Sequence, residues 1–302
     1  MNIIQFTGAV ELGLIYSLVA IGVYLSFRTL QFPDLTVDGS FPLGAAVAAA
    51  LITSGVHPGF ATLAAIFAGA LSGVITAWLS THLKMLNLLA GILTMTALYS
   101  INLRIMGRPN IALLGEKTLL TEWFGNSVPY IPLFIIALVF TVIIYGFLGT
   151  RLGLALRAIG SNPKMGRAQG IDDKKMICLG LSVSNALVAL AGALFAQVHG
   201  FADVSLGVGT IITGLAAVII GEALLPTRTV LQAIVACIIG AIVYRLVISL
   251  ALNIGDFGLQ ASDLNLVTAT LVALAMLLPS LKNKFRSQTI SDSLQNESPS
   301  KV

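Results

Sequence analysis

Carboxylates set into apolar sequence are the first residues in this chain that could do chemistry. Glu11 and Glu222 lie in such runs, and an intramembrane carboxylate can relay a proton. Asp34 and Asp38 stand in PDLTVDGSFPLG, which opens an alanine-rich run. Backbone this rich in Gly and Pro is tolerated at membrane depth only where buried protein or a watery cavity satisfies it. Asp38 and Ser40 are therefore candidates to line a solute path. A second reading places the segment at the cytoplasmic interface, where Asp34 or Asp38 merely caps a helix, and both readings stand. Thr94, Leu98 and Asn102 share one helical face with Tyr99 beside it. That face either lines a path or hydrogen-bonds to a neighbouring helix. Enzyme signatures are missing: there is no HExxH, no GxSxG and no carboxylate cluster at ligand spacing. His57, His82 and His199 are far apart at expected membrane boundaries, and Cys178 and Cys237 sit in apolar segments without metal spacing. Neither a metal nor a cofactor is expected on this chain. There is no GxxxxGK[ST] to cradle a nucleotide's phosphates, so a pump built on it needs an ATPase on a second polypeptide.

The elements that must position these residues are membrane spans. The chain is 57% hydrophobic and 10% charged, with mean hydropathy +0.94, too little polar surface to disperse a soluble domain of 302 residues. Runs of about 20 apolar residues mark a polytopic, all-α integral membrane protein. About nine spans are expected: near 8–27, 34–53, 58–80, 86–106, 129–149, 176–198, 206–222, 229–250 and 264–281. The N-terminus has no basic region or cleavage site of a secretory signal, so the first run reads as a retained span. The seventh, with GLAAVIIGEALLP, is broken by glycine and is either a span or re-entrant. Residues 1–281 form the membrane domain, and the polar, Ser-rich 282–302 read as a disordered cytoplasmic tail.

Between the fifth and sixth spans lies RLGLALRAIGSNPKMGRAQGIDDKK, the loop 150–175, which carries six of the 17 Lys and Arg. Asn162-Pro163 reads as a helix start, since Asn caps and Pro at the first helical position loses no hydrogen bond. A short helix through Ala168 would end at Gly170, and Asp172 and Asp173 suit the positive end of the next helix. With this loop in the cytoplasm, thirteen basic residues fall inside and only Arg108 and Lys117 outside. The positive-inside rule then places the N-terminus outside and the C-terminus inside. Arg245 falls within the eighth span, with no partner evident.

DLTVDGSFPLGAAVAAAL and DVSLGVGTIITGLAAVII both pass from Asp and a polar stretch into a helix of small residues. Running in opposite senses, they would form an inverted repeat, a device for alternating access. The plainer reading is that small residues recur in membrane helices because they allow close packing.

LALRAIGSNPKMGRAQGID resembles the coupling-helix loop of permease subunits in the ABC importers for branched-chain amino acids, ribose and related solutes. The resemblance implies that Ala158, Ile159, Gly160, Asn162, Pro163, Ala168, Gly170 and Ile171 dock into a cleft on a separate ATPase, which binds ATP-Mg. FPDLTVDGSFPLGAAVAA with LLAGILTMTALYSINLRIMGRPNIAL is similar to one subgroup, whose solutes include amino acids, aromatic ones among them. Further implications are a bundle of membrane helices, a second copy of the permease, an extracytoplasmic substrate-binding protein and residence in lipid of a bacterial inner membrane. GRPNIALLGEKTLLTEWFGNS would then offer a docking surface to the binding protein, although Trp123 and Phe124 equally suit an interfacial anchor. No nucleic-acid signature is present. The rival classes are a proton-coupled secondary transporter and a lipid-modifying enzyme, the latter needing an interfacial catalytic cluster that is not visible.

Overall fold

The computed structural model describes residues 3–119, 121, 130–253 and 270. The expected ninth span, the tail 282–302, and Trp123 with Phe124 lie outside the described residues. Eight long helices form a bundle: α1 Ile3–Val23, α2 Val37–Thr53, α3 Pro58–Thr81, α4 Asn87–Met106, α5 Tyr130–Gly149, then α8 Asp173–His199, α9 Thr210–Leu224 and α10 Val230–Asn253. Between α5 and α8 come α6 Arg151–Ser161 and α7 Pro163–Ala168. Seven described segments are long and apolar enough to cross a membrane, and α2 is a shorter apolar helix. A π-helical turn, Tyr24–Thr29, extends α1, and the 3₁₀ turn Val204–Gly207 precedes α9.

The core is built on α8, which packs against α1, α2 and α3. Close approach explains the small residues. A Cβ on Gly44 of α2 would stand 1.9 Å from the Ala189 carbonyl oxygen of α8. A Cβ on Gly192 of α8 would stand 1.9 Å from the Phe41 carbonyl oxygen of α2. Each helix thus supplies the glycine that admits the other's backbone, and dispersion across so tight a contact replaces the hydrophobic drive that lipid cannot provide. Gly69 and Gly73 bring α3 onto α8 in the same way. The outer faces of α3 and α5 expose Phe60, Phe67, Leu71, Phe134, Leu138 and Val142, as lipid-facing surfaces must.

Chain ends pair up on two sides. β1 Asn110–Ala112, after α4, pairs antiparallel with β2 Phe201–Asp203, after α8. The end of α1 meets the end of α9 through Arg28 and Glu222. Both pairings agree with the alternation of spans expected from the charges.

The segment before α2 departs from expectation. The helix begins at Val37 rather than Asp34, and 30–36 is a largely buried, irregular stretch. Arg28 meets Glu222 near one end of α9, whereas Asp38 meets the other end, at Gly209 and Ile211. Those ends are about 20 Å apart at 1.5 Å per residue. The chain therefore rises about 20 Å along α9 between Arg28 and Asp38, before α2 starts. At about 22 Å, α9 is itself shorter than the hydrocarbon core. Its start meets that of α2 through Asp38.

Candidate coupling and translocation site

The loop 150–175 folds as its sequence directs. Thr150 Oγ1 accepts from the Gly153 amide at 3.3 Å and starts α6. Asn162 Oδ1 accepts from the Met165 amide at 3.1 Å with Pro163 following, and Gly170 has φ +79°. Asp172 Oδ1 accepts from the Lys175 amide at 3.3 Å. That bond, more than any other influence, holds the Asp172 carboxyl below the usual carboxylate range. Sequence reasoning missed α6 as a helix in its own right. It buries Leu156, Ile159 and Gly160 against the end of α1 and the start of α8.

The eight candidate coupling residues divide between two surfaces. Ile159 and Gly160 are buried, and Ala158 and Ile171 are half-buried. Asn162, Pro163, Ala168 and Gly170 are exposed on or beside α7. A Cβ on Gly160 would stand 1.8 Å from the Thr29 carbonyl oxygen. The loop is thus seated against the last residue of the π turn, next to Arg28, while its far side stays open to a partner.

The five candidate path residues line none of the three clefts described below. Asp38 Oδ1 accepts from the Ile211 amide at 2.7 Å and Oδ2 from the Gly209 amide at 3.4 Å. It caps a helix, as one reading expected, but the helix is α9 and not its own. Ser40 joins a buried polar chain, accepting or donating at 2.8 Å to Ser72 and donating to Asn185 Oδ1 at 2.7 Å. Asn185 Nδ2 donates to Asp34 Oδ2 at 2.7 Å. Asn102 Nδ2 donates to the Gly39 carbonyl at 3.3 Å, and Thr94 is buried beside it on the α4 face turned to α2. Tyr99, by contrast, is exposed. Ser40 and Asn102 thereby bond between helices. Thr94 instead donates to the Ala90 carbonyl of its own helix at 3.0 Å, and the buried Asn102 Oδ1 has no hydrogen-bond partner among the described residues.

The repeated stretches share local geometry. Asp34 accepts from the Thr36 amide at 2.9 Å and Asp203 from the Ser205 amide at 2.7 Å, the same turn at equivalent places. The Ser205 hydroxyl and amide hold the Asp203 carboxyl below its ordinary range. Asp38 and Gly207, equivalent in the repeat, touch: a Cβ on Gly207 would stand 1.8 Å from the Asp38 carbonyl oxygen.

Arg28, Glu222 and Arg245 find partners that sequence did not reveal. Arg28 donates a fork to Glu222, Nε to Oε1 at 2.9 Å and Nη2 to Oε2. The Arg245 guanidinium lies over the Tyr16 ring, 3.8 Å from its centroid, a cation–π contact. Glu11 makes no ion pair among the described residues. Beside the Arg28–Glu222 pair a cleft of about 800 Å³ runs up α9, walled by Val23, Phe27, Leu215, Val218 and Ile219. A polar cleft of about 420 Å³ adjoins it and is lined by Arg157 and Arg228 together with the same pair. An apolar pocket of about 380 Å³ between α3, α5 and α8 has almost no polar lining and suits a lipid chain better than a polar solute. Among the described residues no His, Cys, Asp or Glu group could hold a metal ion.

Residues 6–281 match the family described as "Branched-chain amino acid transport system / permease component". The chain belongs to that family. It is thus a multi-pass membrane permease of the ABC importer class. It is 40% identical over 259 residues to the tyrosine transport system permease protein of Clostridioides difficile strain R20291, covering 86% of each chain. It is 27% identical over 285 residues to the ribose import permease protein RbsC of Escherichia coli K12, covering 93% of this chain and 85% of that one. In fold it resembles PsaBC from Streptococcus pneumoniae in complex with Fab, with TM-score 0.51, 14% identity and coverage of 90% and 89%. A putative metal-chelate type ABC transporter in an inward-facing conformation gives TM-score 0.50, 18% identity and coverage of 92% and 85%.

Proposed function

We propose that the permease forms the path of an ATP-driven importer for an amino acid, aromatic ones included. Two copies sit over two separate ATPase subunits, which bind ATP-Mg, and an extracytoplasmic binding protein delivers the solute. The N-terminus is outside and the C-terminus cytoplasmic. The observation that carries this reading is the two-faced loop: Gly160 is seated on Thr29 while Asn162, Pro163, Ala168 and Gly170 stay exposed. The relative whose name specifies tyrosine supports the solute class. ATP binding closes the ATPase dimer, moves the docked loop and favours the outward-open arrangement; the α6 contact passes that movement to the end of α1.

Affinity purification of the tagged chain from its native membrane, with mass spectrometry, tests the assembly. A nucleotide-binding subunit recovered at one per permease is the expected result. Recovery of the chain alone, with tyrosine uptake driven by a pH gradient without ATP, would establish the proton-coupled alternative instead.

A further inference from the structure

We propose that Arg28 and Glu222 form a binding site for a zwitterionic amino acid at the cytoplasmic end of the path, where the solute replaces the ion pair with its own two charges. The inference rests on the amino-acid reading above and adds the place and the chemistry of recognition. Arg28 presents two guanidinium N–H groups in a fork that already grips a carboxylate, and the carboxylate of an amino acid has the same shape and charge. Glu222, once released, accepts from the solute's ammonium. The pair is open to exchange because its side chains are 56% and 23% exposed, and an ion pair so open to solvent contributes little net stability.

The walls fit the same occupant. Val23, Phe27, Leu215, Val218 and Ile219 give an apolar lining directly beside the two charges. The cleft, at about 800 Å³, falls in the range of about 300–1,000 Å³ usual for small-molecule sites. One end carries matched opposite charges and the rest is apolar, a combination complementary to an amino acid with a large apolar or aromatic side chain. Arg157 and Arg228 leave the adjoining cleft with an excess of positive charge, which draws the carboxylate end inward. Glu222 then discriminates: without it the site would take any carboxylate, and with it a solute lacking an ammonium leaves a carboxylate unpaired.

Position links the site to the loop. Thr29, next to Arg28, is the residue on which Gly160 of α6 is seated, and Arg157 of the same helix lines the adjoining cleft. Movement of the docked loop therefore shifts Arg28, which would hold the carboxylate, together with Arg157 in the adjoining cleft.

The test measures direct binding by saturation-transfer NMR to the permease–ATPase complex in nanodiscs, without the binding protein. The probes are tyrosine, 3-(4-hydroxyphenyl)propanoate, which lacks the amine, and tyramine, which lacks the carboxylate. The wild-type complex is expected to prefer tyrosine to either analogue by about tenfold or more. Glu222→Gln is expected to abolish the preference over the propanoate, and Arg28→Gln the preference over tyramine. Leu215→Trp narrows the cleft about two helical turns from Glu222 and is expected to weaken all three probes alike. Unchanged preferences in both charge variants would overturn the inference. So would absence of tyrosine binding in a wild-type complex that still performs ATP-driven tyrosine uptake. A wild-type complex supplied with its binding protein and showing no tyrosine uptake would instead count against the solute class proposed above.

Discussion

Gly160→Ala isolates the mechanical contact between the loop and the membrane bundle. The added methyl would stand 1.8 Å from the Thr29 carbonyl oxygen and 3.1 Å from the Leu30 Cα, while ordinary contact begins near 3.4 Å. The obstacle is backbone on both sides, so no side-chain rotation relieves it, and α6 must lift from the π turn by about 1.6 Å at a cost of about 1–3 kcal/mol. The lift separates the exposed residues of α7 from the end of α1 without altering them. In proteoliposomes with ATPase and binding protein, solute imported per ATP is expected to fall at least about fivefold, the lower end of common coupling energies. Basal ATP hydrolysis is expected to persist, and the thermal midpoint of the permease to drop. Ala168→Asp provides the complementary perturbation, because Ala168 is exposed. It should leave the thermal midpoint in place and weaken retention of the ATPase subunit. Wild-type import per ATP and an unchanged midpoint in Gly160→Ala would refute the contact on which this reasoning depends.

Asp38→Asn should destabilise the permease by about 1–3 kcal/mol, since one amide oxygen cannot replace a carboxylate accepting from two backbone donors. Thermal unfolding in detergent, with Asp38→Ala for comparison, reads the loss; a midpoint equal to wild type would show that α9 is not capped from α2. The β1–β2 pairing should loosen on acidification. Because its hydrogen bonds to Ser205 depress the Asp203 carboxyl in the folded state, its stabilising contribution is full above the unfolded value near 4 and is lost as pH falls through the folded value. Hydrogen exchange over 201–207 should accelerate as pH falls below the unfolded carboxylate value near 4, after correction for intrinsic rates. Asp203→Asn should remove that dependence, and an equally steep dependence in the variant would assign it elsewhere.

What sequence revealed and what it concealed divide by range. Asn162, Pro163, Gly170 and Asp172 were legible because a cap or a left-handed residue acts within three or four positions. Helix boundaries in α3, α4, α5 and α8 followed from uninterrupted hydropathy to within a few residues. The pairing of Arg28 with Glu222 spans 194 residues, and that of Asn185 with Asp34 spans 151. No local pattern encodes such contacts. Asn185 still carried a usable signal, since an amide in the apolar run before Ala186 must find a partner inside the bundle. Thr94 and Asn102 were correctly grouped on one face. Whether that face met another helix or an open route depended on the placement of α2, which hydropathy does not contain. The π turn at Tyr24–Thr29 had no sequence mark at all.

The capping of α9 by Asp38 also bears on how the protein is made. The acceptor and its amide donors are separated by 171 and 173 positions, so the ribosome delivers α2 to the bilayer long before α9 exists. Until then Asp38 has no amide to serve, and a bare carboxylate resists the centre of the membrane. An α2 inserted ahead of α9 therefore carries this carboxylate without its two amide donors. The cap is completed only once the first and last thirds of the chain are both in place, which couples the final packing of α2 to that of α9.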